Sequence, residues 1–295
     1  MRVLLLGPGR SAVVRETWQR LGAEGRVTGP RRPPGAEADG SDAVEWLVVP
    51  APGAGAQDLL GRVRGAVGDV DAGPDADVVA VAAGGGLRRL VVLDVDSTLI
   101  TGEVVEMLAA RAGAETEVAR VTEAAMRGEL DFAESLHRRV ALLEGLPVGV
   151  LDEVRAEVEP SPGAAAMARA LAGAGVPVGV VSGGFAEVVE PLAASLGIPH
   201  ARANRLEVAG GRLTGRVRGD VVDAAAKEAF LRELAARHDV PLAGTVAVGD
   251  GANDLAMVRA AGTGVALCAK PVLAAAADVV LRRRDLTAVA RLLGL

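Results

Sequence analysis

One cysteine, no tyrosine and two lysines occur among the 295 residues. The single thiol, Cys268, excludes an intramolecular disulfide framework and fits a reducing compartment. Only five residues are aromatic while half are hydrophobic, so a substantial core must be built from Leu, Val and Ala. Long apolar runs are absent. Val3 to Leu6 is too short for a signal-peptide core, and no segment approaches a membrane span. A net charge of −6 without a basic cluster argues against nucleic acid as a partner. A soluble, cytoplasmic protein is the expectation.

The scarcity of lysine is informative. Of 32 basic residues only Lys227 and Lys270 are lysines; the rest are arginine. An ammonium is a compact, mobile point charge suited to phosphate or carboxylate oxygens. Lys227 on a helix is otherwise an ordinary solvated residue, and Lys270 alone carries no assignment.

The length suits two domains. Residues 1–85 read as β-α-β-β-α-β, with strands at Arg2–Leu6, Arg26–Thr28, Val44–Val49 and Asp77–Ala82 and helices at Ser11–Leu21 and Ala56–Val67. This order resembles the ferredoxin-like ACT regulatory domain, and Gly84-Gly85-Gly86 reads as a linker. Gly7-Pro8-Gly9-Arg10 is a tight turn or a cradle for a small effector. Three roles stay open for this part: binding an effector such as serine, mediating a homodimer, or packing.

The chain beyond residue 86 is organised around Leu87–Gly102. Leu90–Leu93 is a continuous apolar run, as in a strand buried on both faces of a parallel sheet. It ends in Asp94-Val95-Asp96-Ser97-Thr98. Two carboxylates two residues apart project to the same side of an extended chain. At the carboxyl end of a buried strand they lie where open α/β sheets bind ligands. Crowded carboxylates repel unless a proton or cation lies between them, so a metal site or an acid/nucleophile pair competes here with a simple polar turn.

Four helices follow, at Glu103–Arg111, Glu115–Arg127, Phe132–Leu143 and Pro147–Val158, and read as a cap over about residues 103–158. Asp131 with Glu134 is a capping-box pattern, and Pro147 suits a first helical position. Strands and helices then alternate: Gly163–Ala172, Val176–Val181, Ala186–Leu196, a hairpin over Arg205–Val208 and Leu213–Val217, Ala224–His238, Thr245–Val248, Leu255–Ala261, Gly264–Cys268 and Asp278–Leu281. The pattern predicts an α/β, doubly wound, Rossmann-like parallel sheet over residues 86–295.

Each buried strand ends in a polar signature. Ser182-Gly183-Gly184 offers a hydroxyl and backbone N–H groups to a phosphate, or is a plain turn. Gly249-Asp250-Gly251-Ala252-Asn253-Asp254 offers carboxylates four apart to a hard cation, or simple caps for the next helix.

The motifs D-x-D-S-T, S-G-G, a lone lysine and G-D-G-A-N-D resemble those of the haloacid-dehalogenase-like phosphatases. Glu103, Ala125-Met126-Arg127-Gly128-Glu129-Leu130-Asp131-Phe132, Ser135–Val140 and Ala203-Asn204-Arg205-Leu206 resemble, more narrowly, the phosphoserine phosphatases over about residues 88–290. The resemblance implies Mg²⁺-dependent hydrolysis of O-phospho-L-serine, the last step of serine biosynthesis. It implies Asp94 as nucleophile and Asp96 as general acid and base. Asp94, the carbonyl of Asp96 and Asp250 would hold Mg²⁺, with Asp254 behind them. Ser182, Gly183, Lys227 and Asn253 would hold the phosphoryl group. Glu103 would take the substrate ammonium and Arg139 its carboxylate, with Met126 and Phe132 as an apolar wall. Two alternatives are a phosphomonoesterase or phosphotransferase acting on another small ester, and a non-catalytic amino-acid sensor.

Overall fold

The computed structural model describes residues 2–6, 11–22, 26–31, 44–49, 62–66, 77–81 and 89–295. The Gly7–Arg10 turn and the Gly84–Gly86 linker lie outside the described residues. Two sheets form, of four and seven strands.

The smaller sheet contains β1 (Arg2–Leu6), β2 (Arg26–Arg31), β3 (Val44–Val49) and β4 (Asp77–Val81). It is antiparallel in the order β2-β3-β1-β4, a ferredoxin-like order. Strand β2 runs on to Arg31, through Gly29 and Pro30, with a register shift that absorbs them. Period-two alternation gives the sheet two buried faces. Val3, Trp46, Val48 and Ala80 pack with Val13 and Leu21 of α1 (Ser11–Gly22) and Val63 of α2 (residues 62–66). Leu4, Leu6 and Val79 join the core of the larger unit.

The larger sheet is ordered β11-β10-β9-β5-β6-β7-β8. Its strands are β5 (Leu90–Leu93), β6 (Val178–Phe185), β7 (His200–Ala209), β8 (Arg212–Arg218), β9 (Thr245–Gly249), β10 (Thr263–Leu267) and β11 (Val279–Leu281). All neighbours are parallel except β7 and β8, which form the expected hairpin. Every residue of β5 is buried. Val91 and Leu93 face one core cluster, Leu90 and Val92 the other, as a central strand covered by helices requires. Strand order reverses beside β5, since β6 and β7 extend to one side and β9 to β11 to the other. A crevice at the carboxyl ends follows.

The cap comprises α3 (Val104–Ala112), α4 (Glu115–Met126), α5 (Phe132–Ala141) and α6 (Val150–Glu157). The capping box at α5 is formed: Glu134 N–H donates to Asp131 at 2.8 Å, and Asp131 N–H to the Glu134 carboxylate at 3.3 Å. Helix α6 starts three residues later than the proline suggests. Pro147 bridges to Arg212, and Val148 N–H bonds the Gly211 carbonyl, so this segment joins the edge of β8 instead of opening a helix. The remaining helices are α7 (Ala164–Gly173), α8 (Ala186–Ser195), α9 (Ala224–Arg237), α10 (Leu255–Ala260), α11 (Pro271–Ala274) and α12 (Thr287–Leu292). Among the described residues no helix is long and apolar enough to cross a membrane.

The two sheets are joined by polar contacts as well as by core. The buried Asp77 carboxylate accepts from Arg282 N–H at 3.0 Å and Arg283 N–H at 3.4 Å. Arg64 pairs with Asp278 at 2.6 Å.

Candidate active site

Strand β5 runs into Asp94, whose backbone N–H still bonds Val248 of β9 at 2.9 Å while its Oδ1 accepts from Val95 N–H at 2.7 Å. Residues Val95–Leu99 then make one wide π-type turn, closed by Ile100 N–H on the Val95 carbonyl. This turn delivers Asp96 to the same end of the sheet as Asp94. Asp96 is fixed twice: Oδ1 accepts from Val104 N–H at 2.9 Å and Oδ2 from the Ser182 hydroxyl at 2.8 Å. One carboxylate is thus buried at the strand end, and the other is held over it at the start of the cap.

Lys227, on α9, is wholly buried between two carboxylates. Its Nζ lies 2.7 Å from Asp94 Oδ1 and 2.7 Å from Asp254 Oδ1. The lysine is therefore no solvated surface residue. Burial acts to strip its proton, but Asp94 and Asp254 override that and hold its pKa above the ordinary lysine value. Burial and then the Asp254 charge push the Asp94 carboxyl up, against the opposing pull of Lys227.

The loop after β9 supplies Asp250 and Asp254. Asp254 is fully consumed: Oδ1 takes Lys227, and Oδ2 accepts from Asp250 N–H at 3.0 Å and Gly251 N–H at 3.1 Å. Gly249 is needed because a Cβ there would stand 2.4 Å from the Asp254 carboxylate. Asp250 keeps one 3.4 Å bond, from the Thr98 hydroxyl. Burial, then Asp254, raise its pKa to about 6.

Asp94, Asp250 and Asp254 each bring an oxygen within 4.8 Å of the others. With Asp254 occupied, Asp94 and Asp250 are left facing each other with unspent acceptor capacity. Hard carboxylate oxygens held up in pKa by burial are a donor set that fits a divalent cation.

Above them is a cavity of about 640 Å³ lined by Asp94, Asp96, Gly183, Asp250 and Asn253 from the sheet side and Glu103, Phe132 and Arg139 from the cap. Phe132 lies over Gly183, where a Cβ would meet the ring at 2.6 Å. Glu103 accepts the Ser97 hydroxyl at 2.7 Å; burial first, then Asp96, raise its pKa to about 7. Arg139 is held by a 3.3 Å bond from Nε to the Ser135 carbonyl. Burial lowers its pKa, while Glu103 and Asp96 act the other way.

Ser182 and Lys227 lie one layer below the cavity wall, the serine hydroxyl engaged by Asp96 and by Gly184 N–H at 2.7 Å. Ser182-Gly183-Gly184 is not a turn but the end of β6. The Met126 side chain lies outside the described residues. Four supporting residues carried no role in the sequence reading. Asn204 ties the Gly183 carbonyl to Val222 N–H, at 2.8 Å on each side. Ser97 and Thr98 hold Glu103 and Asp250. Lys270 lines the cavity, its N–H on the Asp250 carbonyl at 2.8 Å. Its only sequence signal is the rarity of lysine.

The raised pKa values of Glu103 and Asp250 predict a coupling of stability to pH. The folded state holds protons that the unfolded chain releases. Their contribution is therefore complete below the unfolded values near 4.5 and 3.8, and is lost as pH rises through about 6 to 7. A divalent cation held by Asp94 and Asp250 would take the place of the Asp250 proton. A divalent cation is thus expected to raise the melting temperature more at about pH 8 than at about pH 5. Equal shifts at both would contradict the site.

The haloacid dehalogenase-like hydrolase family matches residues 91–259, more than half of the chain. The chain belongs to this family. It is 57% identical over 221 residues to the phosphoserine phosphatase of Streptomyces coelicolor, across 74% of this chain and 54% of that protein. The chain thus spans about half the length of that relative. It is 45% identical to the phosphoserine phosphatase of Streptococcus thermophilus, over 70% of this chain and 96% of that one. A solved phospho-aspartyl intermediate analogue of phosphoserine phosphatase superposes with a TM-score of 0.66 at 41% identity, covering 70% of this chain and 98% of the other.

Proposed function

We propose that this chain is a phosphoserine phosphatase, hydrolysing O-phospho-L-serine to serine and phosphate. One observation carries the reading: Asp94 and Asp96 share a cavity with Glu103 and Arg139. The first pair suits phosphoryl transfer, and the second matches the ammonium and carboxylate of an amino acid.

Asp94 attacks phosphorus through a carboxylate oxygen, forming an aspartyl phosphate as the bond to the seryl oxygen breaks. Asp96 gives its proton to that oxygen, and serine departs. Asp96 then takes a proton from water, whose oxygen attacks phosphorus and releases phosphate, restoring Asp94. The Gly183 backbone and Asn253 orient the transferring oxygens, Lys227 beneath Asp94 offsets their charge, and Ser182 steadies the Asp96 carboxylate. Asp94, the Asp96 carbonyl and Asp250 would hold Mg²⁺, which when bound offsets charge on the phosphoryl oxygens. Asp254 keeps Lys227 and the Asp250 loop in place. Glu103 reads the ammonium and Arg139 the carboxylate, while Phe132 excludes water. Removal of divalent ions with EDTA is expected to stop phosphate release from phosphoserine, and Mg²⁺ to restore it. Full activity after exhaustive chelation would remove the metal from the scheme.

Residues 1–85 are proposed as an accessory domain on a core of residues 86–295. The Streptococcus thermophilus relative supports this, because 96% of it aligns with only 70% of this chain. A fragment starting at Gly86 is expected to fold and turn over phosphoserine. It should melt at lower temperature, since Leu4, Leu6 and Val79 no longer cover the core. An insoluble or inactive fragment would make the first sheet part of the catalytic unit.

A further inference from the structure

Residues 95–103 carry the chain from the nucleophile strand into the cap, and one of them is strained. Ser97 sits at φ 55°, ψ 4°, the left-handed region that a serine seldom adopts. Its N–H bonds the Gly102 carbonyl at 3.1 Å. Its hydroxyl donates to Glu103 at 2.7 Å, so the Ser97 conformation sets where Glu103 points.

A second group grips this turn from far along the sequence. The Arg284 guanidinium donates to the Ser97 carbonyl at 2.5 Å and reaches the Ile100 carbonyl at 3.5 Å. Arg284 lies on the strap between β11 and α12, which is itself fixed at both ends. Asp77 accepts from Arg282 N–H at 3.0 Å, and Leu286 N–H bonds the Pro162 carbonyl at 2.8 Å. Both bonds come from one guanidinium nitrogen, Nη1, whose two protons serve two carbonyls of the same turn.

We infer that Arg284 is a positioning residue for the end of the cavity that reads the amino acid: it holds the Ser97 turn so that the Ser97 hydroxyl keeps Glu103 aimed inward. The inference rests on the proposed role of Glu103. The Asp96 carboxylate has separate anchors in Val104 N–H and Ser182, and Asp94 is held by β9 through Val248, so the acid and the nucleophile keep their places when Arg284 is lost.

The test compares Arg284→Met, Arg284→Lys and Ser97→Ala in the full chain, with phosphoserine and an aryl phosphate as substrates. Hydrogen exchange is followed at the amides of Ser97 and Ile100. Arg284→Met is expected to raise the KM for phosphoserine about tenfold, with kcat and aryl phosphate turnover within about threefold, and to speed exchange at both amides. Arg284→Lys should recover part of the loss. Ser97→Ala should give the same split between substrates, and adding Arg284→Met to it should cost little more. Equal losses on both substrates, or unchanged exchange, would overturn the inference. If the unmodified chain shows no preference for phosphoserine, the proposed activity fails, and exchange at the two amides still decides whether Arg284 holds the turn. Should Arg284→Met not fold, Arg284→Lys and Ser97→Ala carry the same test.

Discussion

Replacing Asp94 with Asn is expected to lower phosphate release by at least about four orders of magnitude while leaving the fold in place. An amide cannot form the acyl phosphate on which both half-reactions of the proposed mechanism depend. The fold tolerates the change for three reasons. Burial already pushes the Asp94 carboxyl towards its neutral form. The amide oxygen keeps the acceptor that Val95 N–H uses. Lys227 retains Asp254 as its counter-ion. The unmodified enzyme, quenched in acid during turnover, should carry one phosphate on the peptide containing Asp94. Release near the unmodified rate by pure Asp94→Asn protein would remove this residue from the chemistry.

The second large effect falls on selectivity. Arg139 stands on the cap side of the cavity, partly stripped of water and facing Glu103. Arg139→Ala would leave the substrate carboxylate without its cation in a confined site. Losing one partner of such a charged pair typically costs about 2–5 kcal/mol. The kcat/KM for phosphoserine is expected to fall at least about a hundredfold, while a simple aryl phosphate is turned over nearly as before. An equal loss on both substrates would give Arg139 a role in folding or chemistry instead.

How far the sequence foretold this molecule varied with the range of the forces involved. Leu90–Leu93 was legible because a strand buried on both faces needs four apolar residues in a row, whatever surrounds it. The capping box at Asp131 and Glu134 was legible because its partners are three residues apart. Pro147 misled, since its local preference for a helix start yielded to pairing with Arg212 at the edge of β8. The start of β7, from His200, escaped because a polar segment becomes a strand there only by pairing with β6. Within the site, the polar clusters at strand ends marked Asp94, Asp96 and Asp250. The burial of Lys227 depends on a contact 133 residues away with Asp94, and the Arg284 grip on Ser97 spans 187 residues. No local pattern encodes either.

The most direct measurement is phosphate release from a panel of phosphomonoesters, with and without Mg²⁺. The panel holds phosphoserine, phosphothreonine, a sugar phosphate and an aryl phosphate. Geometry that pairs Asp94 and Asp96 with Glu103 and Arg139 predicts Mg²⁺-dependent release, with kcat/KM for phosphoserine far above the rest. Similar rates across the panel, or release that ignores Mg²⁺, would contradict it.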